Sequence, residues 1–224
     1  MTGNITKRIQ ELHQTLPPKV RLIAVTKTVS ADAIREAYAA GIRDFGENKI
    51  QEALAKQEQL QDLPDICWHF LGHLQTNKAK LAVSHFHWIH TCDRMKLAQR
   101  LNRLVEELDI TPPNLLLQVK PLPDPDKYGW TIPELLEALP TLETYEQLKF
   151  KGLMTILPLN QSTEETKVGF EKVRDLAQQI NAKNLSNISL DELSMGMSAD
   201  YQMAIEAGAT MIRLGRTIFG ERPI

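Results

Sequence analysis

The stretch Val20-Arg21-Leu22-Ile23-Ala24-Val25-Thr26-Lys27 decides how this chain is read. A short apolar run rich in β-branched residues reads as a buried strand rather than a helix. It ends on a lysine, and Ser30, a favoured helix N-cap, follows three residues later. Parallel α/β barrels build their chemistry at the carboxyl ends of their strands. A lysine held there among apolar neighbours loses hydration, which disfavours the ammonium and frees the amine to attack a carbonyl. The plainer alternative is a solvated lysine that happens to begin a loop.

The same pattern recurs on both sides of this strand. Upstream, Ile5, Ile9, Leu12 and Leu16 fall at helical spacing and Pro17-Pro18 stops them, which predicts an extra N-terminal helix. Downstream, strands are expected at 20–27, 42–45, 67–71, 86–91, 115–119, 151–155, 192–195 and 211–214. Helices fall between them, opened by Ser30, Asp93, Thr131 and Ser198 as candidate caps and stopped by Gly41 and Gly208. Strict alternation argues a parallel sheet, and eight units argue closure. The expected fold class is therefore α/β: a single modified (β/α)8 TIM barrel with an extra N-terminal helix, one domain over residues 1–224. An open doubly wound sheet stays compatible with the short second and seventh strands.

Lys+Arg of 26 against Asp+Glu of 28 gives a net charge of −2, which argues against nucleic acid or a membrane surface as a general partner. No run approaches the roughly 20 apolar residues that cross a bilayer, and residues 1–14 are too polar for a signal peptide. Cys67 and Cys92 form neither a disulfide framework nor a CxxC metal motif. A cytoplasmic monomer is expected. Five of the six histidines, His69, His73, His85, His87 and His90, lie close together in sequence, yet no Cys or carboxylate spacing completes a zinc pattern.

If the barrel closes, Lys27, Asn48, the 69–72 segment, Thr91, Lys120, Met154, Ser194 and Arg213 converge on one mouth. The last two strands lead into Ser194-Met195-Gly196-Met197-Ser198 and Gly215-Arg216-Thr217. Barrels commonly bind phosphate with the loops after strands seven and eight. Glycines let backbone amides approach an anion, and Ser194 and Ser198 offer hydroxyls. An amine opposite such loops suits a phosphorylated carbonyl compound, and pyridoxal 5′-phosphate supplies aldehyde, phosphate and a ring between them. Arg213 would reach the ring and keep its nitrogen unprotonated, since two positive charges repel in a partly desolvated site. That weakens the cofactor as an electron sink. A structural ion pair is the other reading of Arg213.

Several segments carry a resemblance to a known family. They are Phe45-Gly46-Glu47-Asn48-Lys49, the 68–78 stretch WHFLGHLQTNK, Gly152-Leu153-Met154, the 193–200 stretch LSMGMSAD and the 212–220 stretch IRLGRTIFG. Together they resemble the pyridoxal phosphate homeostasis protein family over nearly the whole chain. The resemblance implies a barrel like the N-terminal domain of alanine racemase, with Lys27 as the Schiff-base lysine and Arg213 facing the pyridine nitrogen. It implies Ser194, Ser198, Gly215 and Arg216 around the phosphate, the last two through backbone amides, with Asn48 and Met195 lining the cofactor. It also implies a non-catalytic carrier or regulator of vitamin B6 and amino-acid pools, exchanging pyridoxal phosphate with small amines, amino acids or apo-enzymes. Thr26, Lys120 and Arg216 depart from residues common in that family.

The alternative is a racemase-like enzyme of low activity. Racemisation needs an acid and a base on opposite faces of the substrate, and only Lys27 is evident for one of them. Alanine racemases add a second domain at that face, whereas this sequence stops at Ile224, soon after the eighth strand.

Overall fold

In the computed structural model, which describes residues 3–221, a ring of parallel strands closes on itself. The strands are β1 (Arg21–Val25), β2 (Asp44–Glu47), β3 (Cys67–Phe70), β4 (Trp88–Cys92), β5 (Asn114–Lys120), β6 (Trp130–Thr131), β7 (Lys149–Met154), β8 (Ile188–Ser194) and β9 (Met211–Leu214). The two-residue β6 pairs with β5 beside the ring, and the other eight form the barrel. Closure is made by β9 on β1, from Arg21↔Met211 to Ala24↔Leu214, and by β4 on β5. These two pairings exclude the open sheet. Residues 1–2 and 222–224, including the terminal Ile224, lie outside the described residues.

Around the ring run α1 (Gly3–Thr15), α2 (Ala31–Ala39), α3 (Ile50–Gln59), α4 (Ala79–His85), α5 (Met95–Leu108), α6 (Ile132–Glu143), α7 (Thr163–Asn181), α8 (Tyr201–Glu206) and α9 (Arg216–Phe219). The expected N-terminal helix is α1, whose Ile9 and Leu12 are buried. Arg8 on α1 donates to the Ile218 carbonyl of α9, which ties the first helix to the last.

Strand alternation sorts side chains into two layers. Ile23, Leu71, Trp88, Leu116, Met154 and Met211 fill the barrel interior. Neighbours of opposite parity, such as Leu22, Ala24, Leu115, Leu117, Ile212 and Leu214, face the helices. Such burial on both faces is why the strands read as continuous apolar runs. Gly152 sets one close approach: a Cβ there would stand 1.8 Å from the Glu192 carbonyl oxygen, so only glycine lets β7 lie against β8.

The structure corrects several sequence boundaries. The second strand begins at Asp44, because the Ile42 N–H is spent on the Ala37 carbonyl in ending α2. The seventh runs back to Ile188, where the solvent-facing Ser189 and Asp191 had hidden it. Ser30 and Thr131 cap α2 and α6 as expected. Asp93 and Ser198 do not cap helices. Arg94 stands at the N-cap of α5, and α8 starts after Asp200, whose carboxylate accepts the Met197 N–H at 2.6 Å.

Candidate functional site

Lys27 lies two residues beyond β1, half-buried, at the carboxyl-terminal mouth of the barrel. Thr26, Lys27, Thr28 and Val29 form a turn closed by the Val29 N–H on the Thr26 carbonyl. Thr28 takes φ +64°, a left-handed conformation that a β-branched residue adopts only under constraint. The constraint comes from α3 and β2. The Thr28 N–H donates to Glu52 Oε1 at 2.6 Å, and Lys56 Nζ donates to the Thr26 carbonyl at 2.7 Å, to Glu47 Oε1 at 2.7 Å and to Glu52 Oε1 at 2.6 Å. Thr26 Oγ1 also donates to Glu47 Oε1 at 2.6 Å. Both neighbours of Lys27 are thereby pinned to one buried charge cluster. Burial pushes the Glu47 carboxyl up against the opposing pull of Lys56 and Thr26. For Glu52, burial raises the carboxyl, but the Lys56 ammonium and the Thr28 N–H outweigh it and hold it low.

Arg213 issues from β9, the strand beside β1, in register with Ile23. Its guanidinium is buried and makes no salt bridge among the described residues, contrary to the ion-pair reading. Instead Nη1 donates to the Ser194 carbonyl at 2.6 Å and to Ser194 Oγ at 2.8 Å, and Nη2 donates to the Thr155 carbonyl at 2.7 Å. A guanidinium has five N–H donors, so these contacts leave two for a further acceptor. Burial pulls its pKa down to about 10, with the Asp200 carboxylate opposing.

Ser194 ends β8 with its side chain fully buried inside the barrel, and its hydroxyl meets His90 Nδ1 at 2.9 Å as well as Arg213. Its carbonyl and hydroxyl both support the arginine. Met195 follows Ser194 with a side chain fully buried in the larger core cluster. Asn48 lies half-buried just after β2. A Cβ on Gly72 would come within 2.0 Å of the Asn48 carbonyl oxygen, so glycine brings the loops after β2 and β3 into contact at the rim.

The loop after β8 lies against β9, as the Arg213 N–H donates to the Gly196 carbonyl at 3.0 Å. Ser198 is half-buried in the turn before α8, and Gly215 with the exposed Arg216 begins the single turn α9. The first N–H groups of a helical turn have no intrahelical acceptor. This set fits a flat ring bearing an aldehyde and an anionic arm: an amine, a packed barrel interior below it, a guanidinium with unspent donors, and loop amides.

Elsewhere at the strand ends, Lys120 turns back onto the Asp124 carbonyl at 3.3 Å, and Thr91 Oγ1 is buried without a hydrogen-bond partner. The histidines separate into distinct roles. His69 and His90 bond to each other inside the barrel, His73 Nδ1 meets Asp93 Oδ2 at 2.9 Å, and His87 Nδ1 accepts the Trp68 N–H. Asp44, Cys67 and His69 bring ligand-type atoms within 4.8 Å of one another, but His69 Nε2 already bonds Asp44 and burial pushes the Cys67 thiol up to about 12. Sequence reasoning missed His90, Thr155 and the Glu47–Lys56–Glu52 cluster. The Glu52–Lys56 spacing of four residues was the one available signal.

Comparison with known proteins shows the family and the fold. The family model described as alanine racemase, N-terminal domain, matches residues 2–223. The pyridoxal phosphate homeostasis protein of Synechocystis sp. is 53% identical over 212 residues, covering 95% of this chain and 96% of that protein. Its namesake in Escherichia coli K12 is 40% identical over 208 residues, 92% of this chain and 87% of that protein. The structure described as PipY of Synechococcus elongatus with PLP bound superposes with a TM-score of 0.91 at 50% identity, covering 96% of this chain and 100% of that one. Alanine racemase of Corynebacterium glutamicum, at 17% identity and TM-score 0.76, shares the fold over 62% of its length.

Proposed function

The chain belongs to the pyridoxal phosphate homeostasis protein family, and from that premise we propose that it is a cytoplasmic, monomeric carrier holding pyridoxal phosphate covalently on Lys27. Its role is to keep vitamin B6 and amino-acid pools in balance by exchanging the cofactor with small amines, amino acids or apo-enzymes, without turning over a substrate. The observation that carries this reading is the pairing of β1 with β9, which sends an amine and a guanidinium from neighbouring strands to one mouth. The PLP-bound PipY structure, half identical to this chain, supports the same cofactor.

When bound, the cofactor supplies an aldehyde carbon that condenses with a neutral amine and releases water. The remaining work falls to the protein. Glu47, Glu52 and Lys56 fix the turn that presents Lys27. Arg213, held by Ser194 and Thr155, offers its unspent N–H donors to the ring nitrogen and opposes protonation there. The backbone amides of Gly215 and Arg216 and the Ser198 hydroxyl take the phosphate, while Asn48 and the Met195 backbone line the rim. Titration of purified protein with pyridoxal phosphate tests the reading: a visible absorption band that saturates at one equivalent is expected, and it is expected to be missing in Lys27→Ala. An equal band in that variant refutes attachment at residue 27.

One observation favours a second reading, slow amino-acid racemisation. His73, held by the buried Asp93, is stacked on Tyr128 with ring centroids 3.6 Å apart, so a histidine and a tyrosine do stand in the loops after β3 and β5. Racemisation of alanine or serine by the wild type, lost in His73→Asn, would favour it; no turnover leaves the carrier.

A further inference from the structure

A continuous line of polar groups, buried except for the half-buried Asp44 at its end, crosses the barrel interior. From the amino end of β2, Asp44 Oδ1 meets His69 Nε2 at 2.9 Å, and His69 Nδ1 meets His90 Nε2 at 2.9 Å. His90 Nδ1 meets Ser194 Oγ at 2.9 Å, and Ser194 Oγ meets Arg213 Nη1 at 2.8 Å. Five residues from β2, β3, β4, β8 and β9 are thus joined end to end.

We propose that His69 and His90 are positioning residues for Arg213, carrying a one-way chain of hydrogen bonds that ends on Asp44 and holds the guanidinium fixed and charged. Its direction follows from the two ends. An ionised carboxylate can only accept and a guanidinium can only donate. With Asp44 as the acceptor, His69 donates from Nε2–H, and a neutral His69 accepts at Nδ1. His90 then donates from Nε2 and accepts at Nδ1, so the Ser194 proton goes to His90. The Ser194 oxygen is left as an acceptor for Arg213. Four links hold four protons, and every lone pair in the chain is turned toward the arginine.

Addition of a proton to either ring would turn round the His90–Ser194 link, so that the Ser194 oxygen faces two donors, and would bury a second cation near Arg213. Burial holds both rings below the usual histidine range, His90 well below, and Asp44 only partly opposes this at His69. The charged or titratable groups around the rings are Arg21 on β1, Asp44, Cys67 and His87 beside β3 and β4, and Arg213 on β9. Arg21 stands 3.9 Å from Asp44 and 3.5 Å from Glu192, which holds the terminal carboxylate in place. The bulk of the chain serves no other evident purpose: a core of this size could be filled by apolar side chains at no loss of stability.

The link to the cofactor rests on the carrier reading, but the chain itself can be tested without cofactor. Ring-nitrogen NMR of the uniformly 15N-labelled, cofactor-free protein should report His69 and His90 both as neutral Nε2–H tautomers, unchanged between about pH 5.5 and 8. In the second arm, Ser194→Ala and His90→Gln should each bind pyridoxal phosphate about tenfold more weakly than wild type, the scale of one hydrogen bond to a charged group. The exposed His85→Gln should bind normally. A proton on Nδ1 of either ring, or a ring that titrates in that range, overturns the chain, as do wild-type affinities in both interior variants. Should a variant fail to fold, the tautomers in the wild type decide. A wild type that takes up no pyridoxal phosphate sinks the carrier reading alone, and the NMR result still judges the chain.

Discussion

Replacing Lys56 with methionine keeps the length of the side chain and removes its charge, and the structure sets the size of the effect. Lys56 is 6% exposed and all three of its N–H donors are used. Without it, Glu47 is fully buried with Oε2 already unpartnered and Thr26 Oγ1 as its remaining donor. Glu52 suffers less, being partly exposed and still bonded to the Thr28 N–H. Breaking a buried pair from one side costs about 3–5 kcal/mol, and most of that loss here is the stranded Glu47. The corresponding fall in midpoint temperature is about 10 °C at this chain length. Adding Glu47→Gln removes the stranded charge, so the double variant should regain about 1–3 kcal/mol. The pH dependence has a definite sign. Burial raises Glu47 already, and losing the cation raises it further, so the defect is full above that raised pKa and shrinks as the pH falls and the carboxyl takes a proton. Urea unfolding of the single and double variants at neutral and mildly acidic pH measures all of this. A loss below about 1 kcal/mol for Lys56→Met, or a double variant less stable than the single, would refute the cluster as described.

Three further outcomes follow from individual contacts. His69 and His90 are both held below the usual value by burial, so the unfolded chain binds two protons that the native one refuses. Stability should therefore be complete above about pH 6.5 and fall below it, these two rings contributing ~2.7 kcal/mol per pH unit at most, with His87 shifted the same way and Glu47 offsetting no more than one proton; equilibrium unfolding against pH reads this, and a flat profile down to about pH 5 contradicts it. Gly152→Ala drives a methyl group into the Glu192 backbone and should cost more than about 4 kcal/mol, whereas Gly208→Ala, with room but φ +105°, should cost about 1–2 kcal/mol in thermal unfolding. Cys67, with its thiol pushed up to about 12 chiefly by burial, should resist alkylation near neutral pH in the native protein and react once it is unfolded.

The barrel was legible because its strands are buried on both faces and its turns are punctuated by strong local signals such as Ser30, Gly41 and Thr131. The positions of Lys27 just beyond β1 and of Arg213 near the end of β9 were legible for the same reason, each being a cation at the end of an apolar run. The partners of Ser194 were not legible, because nothing local tells which wall of the barrel a strand-end hydroxyl faces. Its partner His90 is 104 residues away and reaches it only through ring closure. Asp93 and Ser198 have the chemistry of helix caps, yet His73 claims the first, and Asp200 takes the second's place by accepting the Met197 N–H. The Glu47–Lys56–Glu52 cluster joins a strand to the following helix, and its purpose appears only when the turn at Thr26–Val29 is seen.

The attachment point itself can be read by reduction. Protein loaded with pyridoxal phosphate, treated with borohydride and digested should yield one peptide carrying the phosphopyridoxyl mass, modified at Lys27. The same label on Lys49, Lys56 or Lys120, or no label at all, would contradict the account.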